Sequence, residues 1–279
     1  MPSRRAFIRI LGGTAVFAAA TVAGLKSCDP MPEEAVAGWK GPPPEEKEPR
    51  RRALSYALLA PNPHNLQSWI ADLREADAIT LWTDRKRLLP MTDPPARQVT
   101  IGCGCFLELA LMALAEQGLG SRLVLFPEGG AAAEEVGLQP FARIELDGSA
   151  PARNPLFAHV LSRRSTKTAY GDQIPDDTAL EGLRAAVSGF AVRLDLHVEA
   201  AKVAALKEIV RQAWRIEIDT DRTYRESVEL MRIGGDEIMA HRDGLEMHGP
   251  FFWWARRLGL MSVEAQMQKD SIARTSAID

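Results

Sequence analysis

Two short stretches of this sequence carry the side chains best suited to chemistry. The first is Leu58 to Trp69, LLAPNPHNLQSW, which sets Asn62, His64, Asn65 and Gln67 within six positions. Each of these side chains can both donate and accept hydrogen bonds. Pro61 and Pro63 fix their own φ and push the preceding residue out of the α region, so the loop is stiff. Such a loop can read a planar, heteroatom-rich ligand, or it can be a polar turn that closes a helix. The second stretch is Arg163 to Pro175, RRSTKTAYGDQIP, in which Arg163, Arg164, Ser165 and Lys167 place three cations and a hydroxyl in five residues. That inventory can hold a phosphate through charge-assisted hydrogen bonds, or form a solvated basic turn.

Other constellations offer less. Cys103 and Cys105 lie in an apolar run and read as small core residues, with a Cys-x-Cys metal pair the weaker reading. Three cysteines make no disulfide framework. His241 and His248 flank a charged turn without a third ligand and read as loop histidines. Gly102-Cys103-Gly104 is too short for a dinucleotide phosphate loop. Neither G-x-S-x-G nor H-E-x-x-H occurs, so serine hydrolase and zinc protease chemistry have no support. No catalytic side chain and no metal ligand is assigned.

The order A-P-x-x-x-N-x-Q-x-W in the first stretch resembles the flavin-contacting loop of the nitroreductase superfamily, A-P-S-x-x-N-x-Q-P-W. Pro61, Asn65, Gln67 and Trp69 match, Asn62 stands where serine is usual, and Ser68 replaces the second proline. The string RRALSYALLAPNPHNLQSW, followed by RQVTIGCGCFLELALMALAEQGLG, resembles the exported, internally duplicated Acg-like branch of FMN-binding oxidoreductases over about residues 50 to 175. The resemblance implies non-covalent FMN. Its isoalloxazine and ribityl part would lie against Pro61, Asn62, Pro63, His64, Asn65 and Gln67. Its phosphate would be gripped by Arg163, Ser165 and Lys167 as an R-x-S-x-[RK] element, with Arg164 a neighbour or ribityl contact.

In ordinary nitroreductases the phosphate element precedes the flavin loop and the site forms across a homodimer. Here the order is reversed, which implies two fused halves making one pseudo-dimer site. The expected fold is therefore α+β, a nitroreductase-like pseudo-dimer of two α/β halves, residues 50–150 and 151–279. The implied activity is electron transfer through flavin N5 between a small-molecule donor and acceptor, the protein supplying position and electrostatics. The alternative is a flavin-binding or flavin-sequestering protein without turnover. Family members continue beyond the point corresponding to Asp279 with a further strand, a buried helix and a last phosphate contact. The expectation is thus either a fragment or a curtailed second half.

Composition is that of a folded chain. With 279 residues, 46% hydrophobic and 25% charged, there is length for one large domain or two packed halves. A net charge of −3 gives no general attraction to nucleic acid, and none is expected as a partner. Residues 1–28 differ: Ser3-Arg4-Arg5-Ala6-Phe7-Ile8 precedes an apolar run from Ile10 to Leu25, the form of a twin-arginine export signal. The expected partner is the twin-arginine translocase and the expected compartment the periplasm. Leu25-Lys26-Ser27-Cys28 has the outline of a lipobox, so Cys28 is either lipidated, which would anchor the protein to a membrane, or an early loop cysteine. Residues 29–49, acidic and proline-rich, read as a linker.

Periodicity predicts a helix from Arg50 to Ala60, strands at 78–83, 122–126 and 141–146, and a buried helix over 102–117 closed by Gly118 and Gly120. The segment between the second and third strands suits a short helix. A short helix is expected at 155–163, a strand at 191–198, an amphipathic helix at 200–218 and further helix over 224–240. The aromatic run Phe251 to Trp254 suits a core first of all, then a membrane contact or a lid over the flavin.

Overall fold

The computed structural model describes residues 29–129, 132–166, 169–271 and 274. The twin-arginine motif, Cys28 and Lys167 lie outside the described residues. Helix α1 runs Pro49–Ala57. It starts on Glu48, whose carboxylate accepts from the backbone N–H groups of Arg50 and Arg51, with Pro49 in the first turn. Strand β1 (Trp69–Asp72) follows the proline loop and hairpins back into β2 (Ala78–Thr83).

Helix α2 spans Arg97–Glu116 and begins five residues before the expected start. Asp93 explains the difference, since its Oδ2 accepts from Gln98 N at 2.8 Å and Val99 N at 3.1 Å, supplying partners for the first turn. Gly118, at φ 76°, terminates the helix, and Leu119 N returns to Leu114 O. Strands β3 (Ser121–Leu125) and β4 (Ala142–Leu146) complete an antiparallel sheet of order β1-β2-β4-β3. Between them stands a 3-10 turn at Ala133–Glu135, and a second such turn occupies Pro155–His159.

Alternation along β2 and β4 places Ile79 opposite Ile144 and Leu81 opposite Ala142, all buried on the face that meets the helices. Ala53 and Ala57 of α1 and Val99, Phe106, Ala110 and Leu114 of α2 close the same core. On the other face of the sheet Arg143 bridges Glu75 and Glu145, with Arg122 on Glu145.

The second half holds α3 (Asp177–Val187), α4 (Ala200–Asp219), α5 (Asp221–Glu229), β5 (Met231–Ile233), α6 (Gly235–His241), β6 (Leu245–Met247), α7 (Pro250–Arg257) and α8 (Val263–Gln266). Strands β5 and β6 pair in parallel. The molecule is mixed α+β with an antiparallel main sheet.

Three expectations change. Residues 191–198 alternate but pair with no strand among the described residues, and Val192 stays 63% exposed, so the pattern alone makes no strand. The helix expected over 224–240 is broken by β5, and Gly234 at φ 94° turns the chain into α6. The aromatic run is no core: Phe251 and Trp254 are exposed.

Residues 29–49 are also folded against the body. They include a 3-10 helix at Glu33–Lys40, and Asp29 accepts from the backbone N–H groups of Gly235 and Gly249.

Candidate functional site

The proline loop begins where α1 ends. The helix stops at Ala57, three residues before the expected Ala60, and Leu59 N and Ala60 N tighten its last turn onto Tyr56 O and Ala57 O. Asn62 then acts as an internal brace. Its Oδ1 accepts from Gln67 N at 2.9 Å and its Nδ2 donates to Ala60 O at 3.1 Å, closing the loop on itself. Gln67 Nε2 donates to Asn65 Oδ1 at 2.9 Å. Inside that ring His64, Asn65 and Gln67 adopt φ of 49°, 51° and 54°. Asn tolerates the left-handed region, but for His and Gln the strain is about 1 kcal/mol or more each.

The surroundings hold this conformation. Gly102 of α2 lies directly beneath the loop, where an added Cβ would come within 3.1 Å of Asn62 Cβ. Asn65 O accepts from Gly244 N at 3.1 Å, and Leu66 O accepts from Arg87 Nη1 at 2.7 Å. Ser68, at the position of the family's second proline, is buried and donates to Arg87 O at 2.8 Å. A proline there would lack that hydroxyl. Trp69 stacks on Phe106 with ring centroids 4.7 Å apart.

Two buried polar atoms of this motif, His64 Nδ1 and Trp69 Nε1, have no hydrogen-bond partner among the described residues. Burial lowers the His64 pKa below its ordinary value, with the charge of Glu226 opposing it, so the ring is neutral at pH 7.

The basic stretch comes to the same place. Arg163 Nη2 donates to Leu59 O at 2.6 Å, across 104 residues of sequence, at the mouth of the proline loop. Cys105 reports the same proximity: burial pushes its thiol up and the Arg163 charge opposes that. Burial drives Cys103 further, to about 11, which leaves it an inert core thiol beside Thr83. Arg164 turns away from the loop, donating to Leu161 O and Arg163 O and stacking 4.2 Å above Trp39. Ser165 is exposed. The structure therefore ties Arg163 to Leu59, just before the loop of Pro61, Asn62, Pro63, His64, Asn65 and Gln67, and directs Arg164 elsewhere.

The residues that brace this site come from distant parts of the sequence. Asp243 Oδ2 accepts from Arg87 Nη1 at 2.9 Å and its Oδ1 from Arg232 Nη2 at 3.0 Å. Glu226 accepts from Met91 N, Thr92 N and Thr92 Oγ1. Arg87, Glu226, Arg232 and Asp243 line a groove of about 460 Å³ with Leu66 on its wall, and none of the expected cofactor contacts lines it. The Asp243-Gly244 pair is a turn signal in the sequence, but its partners are 156 and 11 residues away.

Comparison with known proteins gives two relatives in Mycobacterium tuberculosis (strain ATCC 25618 / H37Rv). One, named "Putative NAD(P)H nitroreductase acg", is 27% identical over 172 residues, which covers 58% of this chain and 49% of the relative. The other, "Putative NAD(P)H nitroreductase Rv3131", is 28% identical over 172 residues, 60% of this chain and 46% of the relative. The chain is a distant homologue of these nitroreductases. It spans about half the length of the curated relatives it matches. No family model matches it.

Proposed function

We propose that the protein binds FMN between the Pro61–Gln67 loop and the Arg163–Lys167 stretch, and works as a nitroreductase-like oxidoreductase after twin-arginine export from the cytoplasm. The observation that carries this reading is the hydrogen bond from Arg163 to Leu59 O, which brings together two elements suited to opposite ends of one cofactor. The residues fit the group. Arg163 and Ser165 are exposed for a phosphate, and His64 Nδ1, in the loop suited to the ring system, is a buried polar atom without a partner among the described residues. Bound FMN would supply electron transfer through its N5. The chain's own part is to hold the phosphate charge with Arg163, Ser165 and Lys167, and to present a rigid polar wall at Pro61 to Gln67. Two fused α/β halves would share that site.

A second reading, flavin binding without turnover, is favoured by one feature. Helices α3 and α4 bury a single residue each, Leu180 and Ile218, so the second half builds only a small core of its own. Turnover with a nicotinamide or quinol donor and a nitro or quinone acceptor, well above that of free FMN, would exclude it.

Adding FMN to micromolar protein should give a bound-flavin visible spectrum, and its absence refutes the proposal. Lys167→Ala should weaken FMN by about 1.5–3 kcal/mol, the scale of a hydrogen bond to a charged group. Riboflavin affinity should hardly move. Equal losses for both would show an effect on folding and not on a phosphate.

A further inference from the structure

Asp29 is the point at which the N-terminal segment joins the fold. Its Oδ1 accepts from Gly235 N at 2.6 Å, and its Oδ2 and backbone oxygen both accept from Gly249 N, at 3.2 and 3.1 Å. Gly249 is the N-cap of α7. The apolar run Ile10–Leu25 ends four residues before Asp29, so at most about 14 Å of extended chain separates the two. Helix α7 therefore stands beside whatever receives that run.

The surface α7 offers there is apolar in one direction. Phe251, Trp254 and Leu258 are 59%, 50% and 60% exposed, and at 100° per residue they fall within about 60° of one another. Ala255 is buried and Phe252 half-buried against the body. Arg256 turns inward to Asp236 and Glu237, while Arg257 stays beside the stripe, 4.0 Å above the Trp253 ring. Tryptophan and phenylalanine flanked by arginine are the residues that settle at a membrane–water interface. Eight residues, about 12 Å of helix, cannot span a bilayer but can lie in its surface.

We propose that α7 docks on a lipid bilayer, with Phe251, Trp254 and Leu258 seated in the interface beside the membrane-inserted run of residues 10–25, and that Asp29 fixes this orientation. The inference is independent of the flavin reading and rests on the export segment staying attached to the protein, with its apolar run in the bilayer.

The test uses the full chain with vesicles of phosphatidylcholine and phosphatidylglycerol carrying a lipid-borne fluorescence quencher. Of the six tryptophans, Trp254 should carry most of the lipid quenching, so Trp254→Phe should lose more than half of it while far-UV dichroism and vesicle flotation are retained. Asp29→Ala should still float, through residues 10–25, but with quenching at Trp254 reduced at least twofold. Unchanged quenching in Trp254→Phe overturns the proposal, as does a loss that falls instead on Trp214→Phe of the apolar α4 face. Protection of Trp254 from aqueous acrylamide without vesicles, rising with protein concentration, would show a second copy on the stripe and overturn it too. Unchanged quenching in Asp29→Ala overturns the role of the clamp.

Discussion

His64 sits in the left-handed region with Nδ1 buried and without a hydrogen-bond partner among the described residues, which combines backbone strain with an unmet polar atom. Burial lowers its folded pKa, whereas in the unfolded chain it titrates near the ordinary value of about 6.5. Below that pH the unfolded state takes up a proton that the folded state refuses, so stability falls as pH drops from about 7 through the folded pKa. Melting temperature should decrease between pH 7.5 and 5.5, and His64→Gln should flatten part of that slope. An unchanged slope would mean the ring is solvated in the folded state. At this scale the sequence shows which side chains the loop has but not how they are used. Asn62, Asn65 and Gln67 read as ligand contacts, yet they spend hydrogen bonds on one another and on the loop backbone. Ser68 departs from the resembled motif for a reason, the carbonyl of Arg87, that only folding brings near.

Elements whose periodicity is enforced by burial were the legible ones. Strands β2 and β4 and helix α2 stand within five residues of their expected places because their apolar positions face one shared core, whereas β3, with Leu123 and Leu125 exposed, is held by its pairing with β4. Strand β1 passes unnoticed in the sequence, since its Ile70 points out at 50% exposure and only pairing with β2 makes WIAD a strand. Strand β5 is three residues long and depends on a parallel partner, β6, fourteen positions on. Conversely, 191–198 has a strand's pattern and no partner among the described residues to use it. The central role of α2 gives a direct test. Phe106 is 2% exposed beneath Trp69, on the helix that also carries Gly102 under the loop. Phe106→Ala should cost about 3–5 kcal/mol, the range for emptying a buried aromatic site. Urea unfolding would measure it, and a loss below about 1 kcal/mol would show that α2 is not packed as described.

Over the whole molecule the first half owns a continuous core, whereas the second has a small one of Ile218, Tyr224 and Val228. Besides Phe157, which packs edge-on against Tyr56 of the first half, polar contacts couple the halves. Arg87 reaches Asp243 from the first half, Arg232 pairs with the same carboxylate from β5, and Gly244 N ties to Asn65 O. Gly244 is obligatory there, since at φ 85° an added Cβ would stand 2.4 Å from Leu230 O. Asp243 and Arg232 are only 14% and 13% exposed in their side chains, so truncating Asp243 strands two guanidinium groups, one of them nearly enclosed. Asp243→Ala should therefore cost about 2–4 kcal/mol, between the loss of a charged hydrogen bond and that of a buried ion pair. The cost should fall on the coupling. Dichroism and an acrylamide-quenching probe on Trp214 should give coincident urea transitions for the unaltered protein and separate ones for Asp243→Ala, the second half opening first. Coincident transitions in the variant would show that the halves are held together by contacts other than this carboxylate, and that the loop at Asn65 does not depend on the second half for its shape.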